Sequence, residues 1–246
     1  MATAVQAPIT IPSLHVPPTI EDLKQSSLMY NLLPDDADQR QVQEVHTQQL
    51  AAILERFNVQ DKFGIHLIHG HLQLEADSIM LGTALTSVRG CWTKPTSIDD
   101  IDPAGIHGHI FKLTSKGELQ AYEYREGPTM NLAGVDAAFF HELIQYLKTN
   151  NLVDLLGLQV LAKEVPEMMC EFVVEENGTV MLDARDVKGW TPFRTTGFFC
   201  APGMTGLNNS ESHAKTTRDT HKVFVGGKIG KEDPLMDALR AEGIVY

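Results

Sequence analysis

The sequence predicts an α+β fold, a mainly antiparallel sheet with flanking helices. Two hairpin signals set among separated amphipathic helices carry this reading, in place of the regular strand–helix alternation of a parallel sheet. One signal is Ser115-Lys116-Gly117, between strand-like runs at 106–113 and 119–125. The other is Asn177-Gly178, between 172–174 and 179–182, where Asn-Gly supplies the positive φ of a tight turn.

Along the chain, residues 1–17 are rich in Pro and small side chains and are expected to form an extended N-terminal arm, with 18–246 a single α+β domain. The rival organisation is two bodies divided near 152–167. A short helix is expected over 20–30 and a longer one over 37–57, where Val42, Val45, Leu50, Ile53 and Phe57 gather on one stripe at helical period. His46 lies near the centre of that stripe, so it is expected to be buried between this helix and the sheet. Residues 62–75 read as a central strand, apolar on both faces. A strand or short helix over 79–85 follows, then a loop over 94–105 and the first hairpin. A helix over 135–148 places Phe140, Leu143, Ile144 and Leu147 on one face, with His141 at its margin. Residues 195–220, dense in Gly, Ser, Thr and Asn, are expected to be irregular, and 221–225 a strand. Asp233 as N-cap and Pro234 in the first turn open a last helix ending near Gly243.

Composition narrows the function classes. The 246 residues are 43% apolar and 21% charged, an ordinary globular balance with material for a sizeable core. A formal charge of -12 argues against a nucleic-acid partner, because phosphate contacts need a basic surface. Cys91, Cys170 and Cys200 are odd in number and widely spaced, which fits free thiols in a reducing, cytoplasmic compartment. The first residues lack a basic segment followed by an apolar run, and no stretch has the apolar length of a membrane span, so neither secretion nor a membrane partner is expected.

The chemistry points to histidine. His66, His69 and His71 precede His107 and His109, and in a strand residues i and i+2 share a face. His69 projects with His71, and His107 with His109. Were the two strands neighbours, four imidazoles would converge, a nitrogen set suited to Fe, Cu or Zn. The run His69-Gly70-His71-Leu72-Gln73-Leu74-Glu75, with Gly82 seven residues on, resembles the first metal-binding motif of cupins. The resemblance implies His69, His71 and Glu75 as three ligands and His107 or His109 as the fourth. It spans fewer than twenty residues: no Pro-x-Gly motif precedes His107 or His109, and the expected helices exceed those of that nearly all-β fold, so the family is not assigned.

The other reactive residues have bland readings. Cys91 and Cys200 lack an ordered Cys–His–acid arrangement, no G-x-S-x-G elbow is present, and 226–231 is not a Walker A loop but a solvated turn. Two functions follow. The first is a metal-dependent enzyme acting on a small organic substrate, an oxygenase or oxidase if the metal is redox-active and a hydrolase or lyase if it is zinc. His69, His71, His107 and His109 would supply the metal site and Glu75 the general base. Tyr122 and Tyr124 are expected on the histidines' side of the first hairpin, as donors to substrate. The alternative is a metal-free small-molecule-binding or protein-interaction module, using the same histidines for polar contacts. Either would be compatible with a homo-oligomer.

Overall fold

Residues 9–161, 168–201 and 206–246 are described by a computed structural model. In chain order they form α1 (Ile20–Tyr30), α2 (Glu44–Arg56), β1 (Phe63–Leu67), β2 (Ser78–Ala84), β3 (Gly90–Ser97), β4 (Ile106–Leu113) and β5 (Leu119–Glu126). Then follow α3 (Ala137–Thr149), β6 (Leu156–Val160), β7 (Met169–Val173), β8 (Thr179–Asp183), β9 (Trp190–Phe199), β10 (Asn208–Thr216) and α4 (Glu232–Ala241). The strands close into a barrel in the order β1-β6-β4-β5-β2-β3-β8-β7-β10-β9, with β9 returning to β1. Only β2–β5 and β7–β10 pair parallel, so the sheet is mainly antiparallel and the four helices flank it.

Strand alternation sorts apolar side chains to the outside of the barrel. Phe63, Ile65 and Leu67 of β1 and Leu156, Leu158 and Val160 of β6 join residues of α2 and α3 in the larger core. The intervening His66 and Gln159 therefore point to the barrel interior. Phe139 of α3 stacks on Phe63 at 5.3 Å between ring centroids and meets Phe57 edge-on at 5.9 Å. On the other flank, Leu235, Met236 and Leu239 of α4 pack on Phe172, Val180, Leu182 and Ala214. Closure leaves the barrel no open edge, and helices shield both apolar flanks.

Several expectations are corrected. The strand expected over 62–75 is β1 alone, and residues 69–71 lie beyond its end. Residues 94–97 belong to β3, because they pair with β2 as far as Ser97. Much of the segment expected to be irregular forms β9 and β10, whose polar side chains line the interior or the rim and so hide the apolar alternation that marks a strand; 202–205 lie outside the described residues. The strand expected over 221–225 reduces to one bridge between Val173 and Lys222. Asp35 caps a short turn at Asp36–Asp38, which delays α2 to Glu44 and leaves Val45 51% exposed. His46 is only half-buried and faces α3, with Nδ1 2.9 Å from the Tyr146 hydroxyl, so it joins two helices and not helix to sheet. Lys231, not Asp233, is the N-cap of α4.

Of the arm, residues 1–8 lie outside the described residues. Ile11 and Leu14 are buried in the larger core, and the Ser13 carbonyl accepts from Gly108 N at 2.8 Å, so the described part of the arm lies on the body.

Phe139→Ala is expected to lower unfolding free energy by about 3–5 kcal/mol, since it empties an aromatic cluster. Val45→Ala, at an exposed position, should stay within about 0.5 kcal/mol. Urea unfolding of both variants measures the contrast, and equal losses would contradict the packing.

Candidate metal centre

The centre begins with a strand register. β7 and β10 run parallel with His213 beside Glu171, which puts both on one face of the sheet, turned inward. Glu171 is 5% exposed and His213 1%. His69 and His71 arrive from the segment that leaves β1. That segment is pinned by three backbone contacts: Ile68 N donates to Leu155 O at 2.9 Å, Gly70 N to Pro34 O at 2.9 Å, and His71 N to the Tyr30 hydroxyl at 3.3 Å.

Four donor atoms converge, one each from His69, His71, Glu171 and His213, all within 4.8 Å of one another. His69 Nε2 lies 3.1 Å from His71 Nε2, His71 Nε2 3.2 Å from Glu171 Oε1, and His213 Nε2 3.0 Å from Glu171 Oε2. His69 Nε2 stands 3.9 Å from Glu171 Oε2. Metal–ligand bonds of about 2.0–2.2 Å separate ligand atoms by roughly 3.0 Å at right angles and roughly 3.4 Å at the tetrahedral angle. The spacing fits a common ion.

Orientation fits as well. His69 Nδ1 is 2.7 Å from the Leu67 carbonyl, which can only accept, so Nδ1 carries the proton and the Nε2 lone pair faces the cluster. His213 Nδ1 likewise donates to Asp36 Oδ2 at 3.1 Å. A carbonyl or carboxylate behind a ligating imidazole fixes its tautomer and raises its basicity. Glu171 Oε2 and His213 Nε2 are buried, yet neither makes a hydrogen bond of acceptable angle, despite their 3.0 Å approach.

The charges are strongly coupled. Burial alone would raise the Glu171 pKa, but His213 and His71 outweigh it and hold the carboxyl well below its usual range. Burial would lower the His213 pKa, but Glu171 and Asp36 lift it to about 9. His69 is pushed well below the ordinary imidazole value by burial and by the neighbouring His71. His221 stands at the margin, its ring centroid 4.9 Å from that of His213, and burial with His213 lowers its pKa to about 4.

The interior continues past the centre. The His66 ring stacks on His69 at 5.3 Å, and its Nε2 is 3.4 Å from Glu211 Oε2. Gln159 Nε2 donates to Glu211 Oε1 at 2.8 Å. Gly197 makes room for this arrangement: a Cβ there would come within 2.6 Å of Glu211 Oε2.

Of the histidines expected as ligands, the structure brings His69 and His71 together but not His107 and His109. β4 is separated from β1 by β6, so the two histidine pairs are not on neighbouring strands. His107 Nδ1 is 3.2 Å from the Gly127 carbonyl, and His109 Nε2 is 3.1 Å from Arg125 Nη2. Glu75 is exposed and ion-paired with Lys228, away from the ligand position that the cupin resemblance implied. The tyrosine register also differs. His107 lies opposite Arg125 and Gly108 opposite Tyr124, because Thr114 N bonds Glu118 O around a three-residue turn in which Gly117 has φ +86. An odd turn moves Tyr124 off the face of His107, while His109 and Tyr122 fall where the register shifts at bulges. Tyr124 bonds Ser26 in the helix-facing core, while Tyr122 packs with Ile110, Met80 and Tyr30.

Glu171, His213 and Asp36 are the site residues that sequence reasoning missed. The signal for Glu171 is a lone charge in the run Met-Met-Cys-Glu-Phe-Val-Val, which a buried strand tolerates only with a partner. No known protein family, curated relative or solved structure matches the chain.

In chelator-treated protein, Glu171→Gln removes the anion that raises His213. The His213 pKa should fall below about 9, as read from the imidazole proton shifts in an NMR titration. An unchanged value would mean that Glu171 does not face His213.

Proposed function

We propose that the protein is a metal-dependent enzyme acting on a small organic molecule, with His69, His71, Glu171 and His213 holding a divalent transition metal. The observation that carries this reading is the convergence of four donor atoms, from His69, His71, Glu171 and His213, within 4.8 Å of one another. A cation shared by all four would compensate the buried carboxylate and orient the imidazoles together. Three imidazoles and one carboxylate suit Fe, Cu or Zn better than Mg or Ca.

His69, His71, Glu171 and His213 would hold the ion, and catalysis would need one position on it free for substrate or water. When bound, the metal supplies Lewis acidity toward a substrate oxygen or activates water. His71 lines a cavity of about 850 Å³, within the usual range for small-molecule sites, so substrate reaches the centre from that side. Glu75 and Lys228 form an ion pair on the same wall, at the margin of the reaction space, where Glu75 keeps its assignment as a base candidate. Tyr122 remains a candidate donor: its buried hydroxyl has no partner, and burial with Glu123 nearby keeps it protonated. Tyr124 has spent its hydroxyl on Ser26.

A metal-free binding module is the second reading, favoured by the ion pairs through which Asp36 and Glu171 already compensate His213. Elemental analysis of untagged protein, stripped by chelator and then offered Fe, Cu or Zn, separates the two. One equivalent of tightly held metal is expected. His71→Ala and Glu171→Ala should each weaken uptake by more than about tenfold, and Asp36→Asn by about 10–100-fold through loss of imidazole orientation. Parent protein that takes up no metal would leave the binding module standing.

A further inference from the structure

A second cavity, of about 510 Å³, shares no lining residue with the one beside His71. Three arginines reach it, and two are committed. Arg89 binds Asp186 through Nε and Nη2 at 3.0 and 2.8 Å, and Arg185 grips Asp183 through Nε at 2.9 Å and Nη2 at 2.6 Å. Arg125 differs. Among the described residues it makes no ion pair, and its one hydrogen bond runs from Nη2 to His109 Nε2 at 3.1 Å. Its Nε is buried without a partner.

His109 cannot neutralise that charge. A guanidinium only donates, so His109 Nε2 accepts and the ring is neutral. Burial first, and Arg125 second, hold its pKa well below the ordinary value. His109 is 8% exposed, so it acts as a rigid backstop that orients the guanidinium. The Ser210 hydroxyl, on the same cavity wall, is also buried and unpartnered. A planar cation with donors to spare and a hydroxyl on the same cavity wall form an acceptor-seeking site.

We infer that this cavity binds a small monocarboxylate, its two oxygens taken by the Arg125 guanidinium and the Ser210 hydroxyl. The charge balance selects the class. Asp183 is matched by Arg185, Glu211 by His66 and Arg89 by Asp186, while the exposed Glu126 accepts from the Thr83 hydroxyl and makes no ion pair among the described residues. With that carboxylate on the same wall, Arg125 accommodates a single negative charge at most, and a phosphate dianion would bring one too many. Met169, Met181, Val160 and Leu161 line the remaining wall and suit a short hydrocarbon body. Glu211 belongs to this wall and pairs with His66, which stacks on His69, so the site adjoins the candidate metal centre while its residues are separate.

The test uses chelator-treated full-length protein, so its outcome is independent of metal uptake. Calorimetric titration with pentanoate, 1-pentanol and inorganic phosphate gives the comparison. Pentanoate should bind one to one. Arg125→Gln should weaken it at least about tenfold and Ser210→Ala about threefold. Ala84→Trp, at an exposed position on the cavity rim, should abolish binding while leaving thermal unfolding like that of the parent, which covers the case in which Arg125→Gln fails to fold. The inference is overturned if the parent does not bind pentanoate, if 1-pentanol or phosphate binds as tightly, or if Ala84→Trp binds like the parent.

Discussion

Glu171 is a carboxylate inside a closed barrel, and the surrounding interior follows from having to compensate it. An ion moved from water into a protein interior loses several kcal/mol of solvation unless it is paired and hydrogen-bonded. Glu171 has His213 at 3.0 Å and His71 at 3.2 Å, and Asp36 in turn holds the far nitrogen of His213. Two anions and a set of imidazoles thus share one small volume, with their protonation states locked together. Such a cluster can in principle chelate a divalent metal, because four donor atoms converge within 4.8 Å.

The barrel makes this possible by turning the usual sheet logic inside out. Its outer faces carry the apolar side chains, buried by α2 and α3 on one flank and α4 on the other. The interior then holds histidine, glutamate and glutamine at spacings set by strand register. Backbone ladders absorb the main-chain polar groups, so interior side chains are free to bond one another. Glycine is used where side chains must cross: Gly197, opposite Glu211, leaves the space through which that carboxylate reaches His66.

Polar groups run through this interior without a gap. His71 faces one cavity, His69 stacks on His66, and His66 pairs with Glu211 on the wall of the other.

Local signals in the sequence were enough for the class of fold and part of the site. Helix periodicity placed the helices at 20–30 and 135–148 nearly where α1 and α3 lie, and Asn177-Gly178 marked the turn between β7 and β8. The proximity of His69 and His71 was legible too, although a pinned segment beyond β1 produces it and not the strand pleat. Strand order was not legible. Whether β4 or β7 lies beside a given strand depends on contacts between residues far apart in the chain, and no short window encodes them. That order set His107 and His109 apart and brought in Glu171, His213 and Asp36, the last 177 residues from His213. The face of Tyr124 turned on a single extra residue at Gly117, because a period of two reverses with every unit shift, and bulges beside Ile110 displaced His109 and Tyr122 from the ladder. The sequence by itself determined that His69 and His71 lie together and which stripes had to be buried; only closure of the barrel decided which other side chains meet them, since convergence is a property of long-range register and not of spacing.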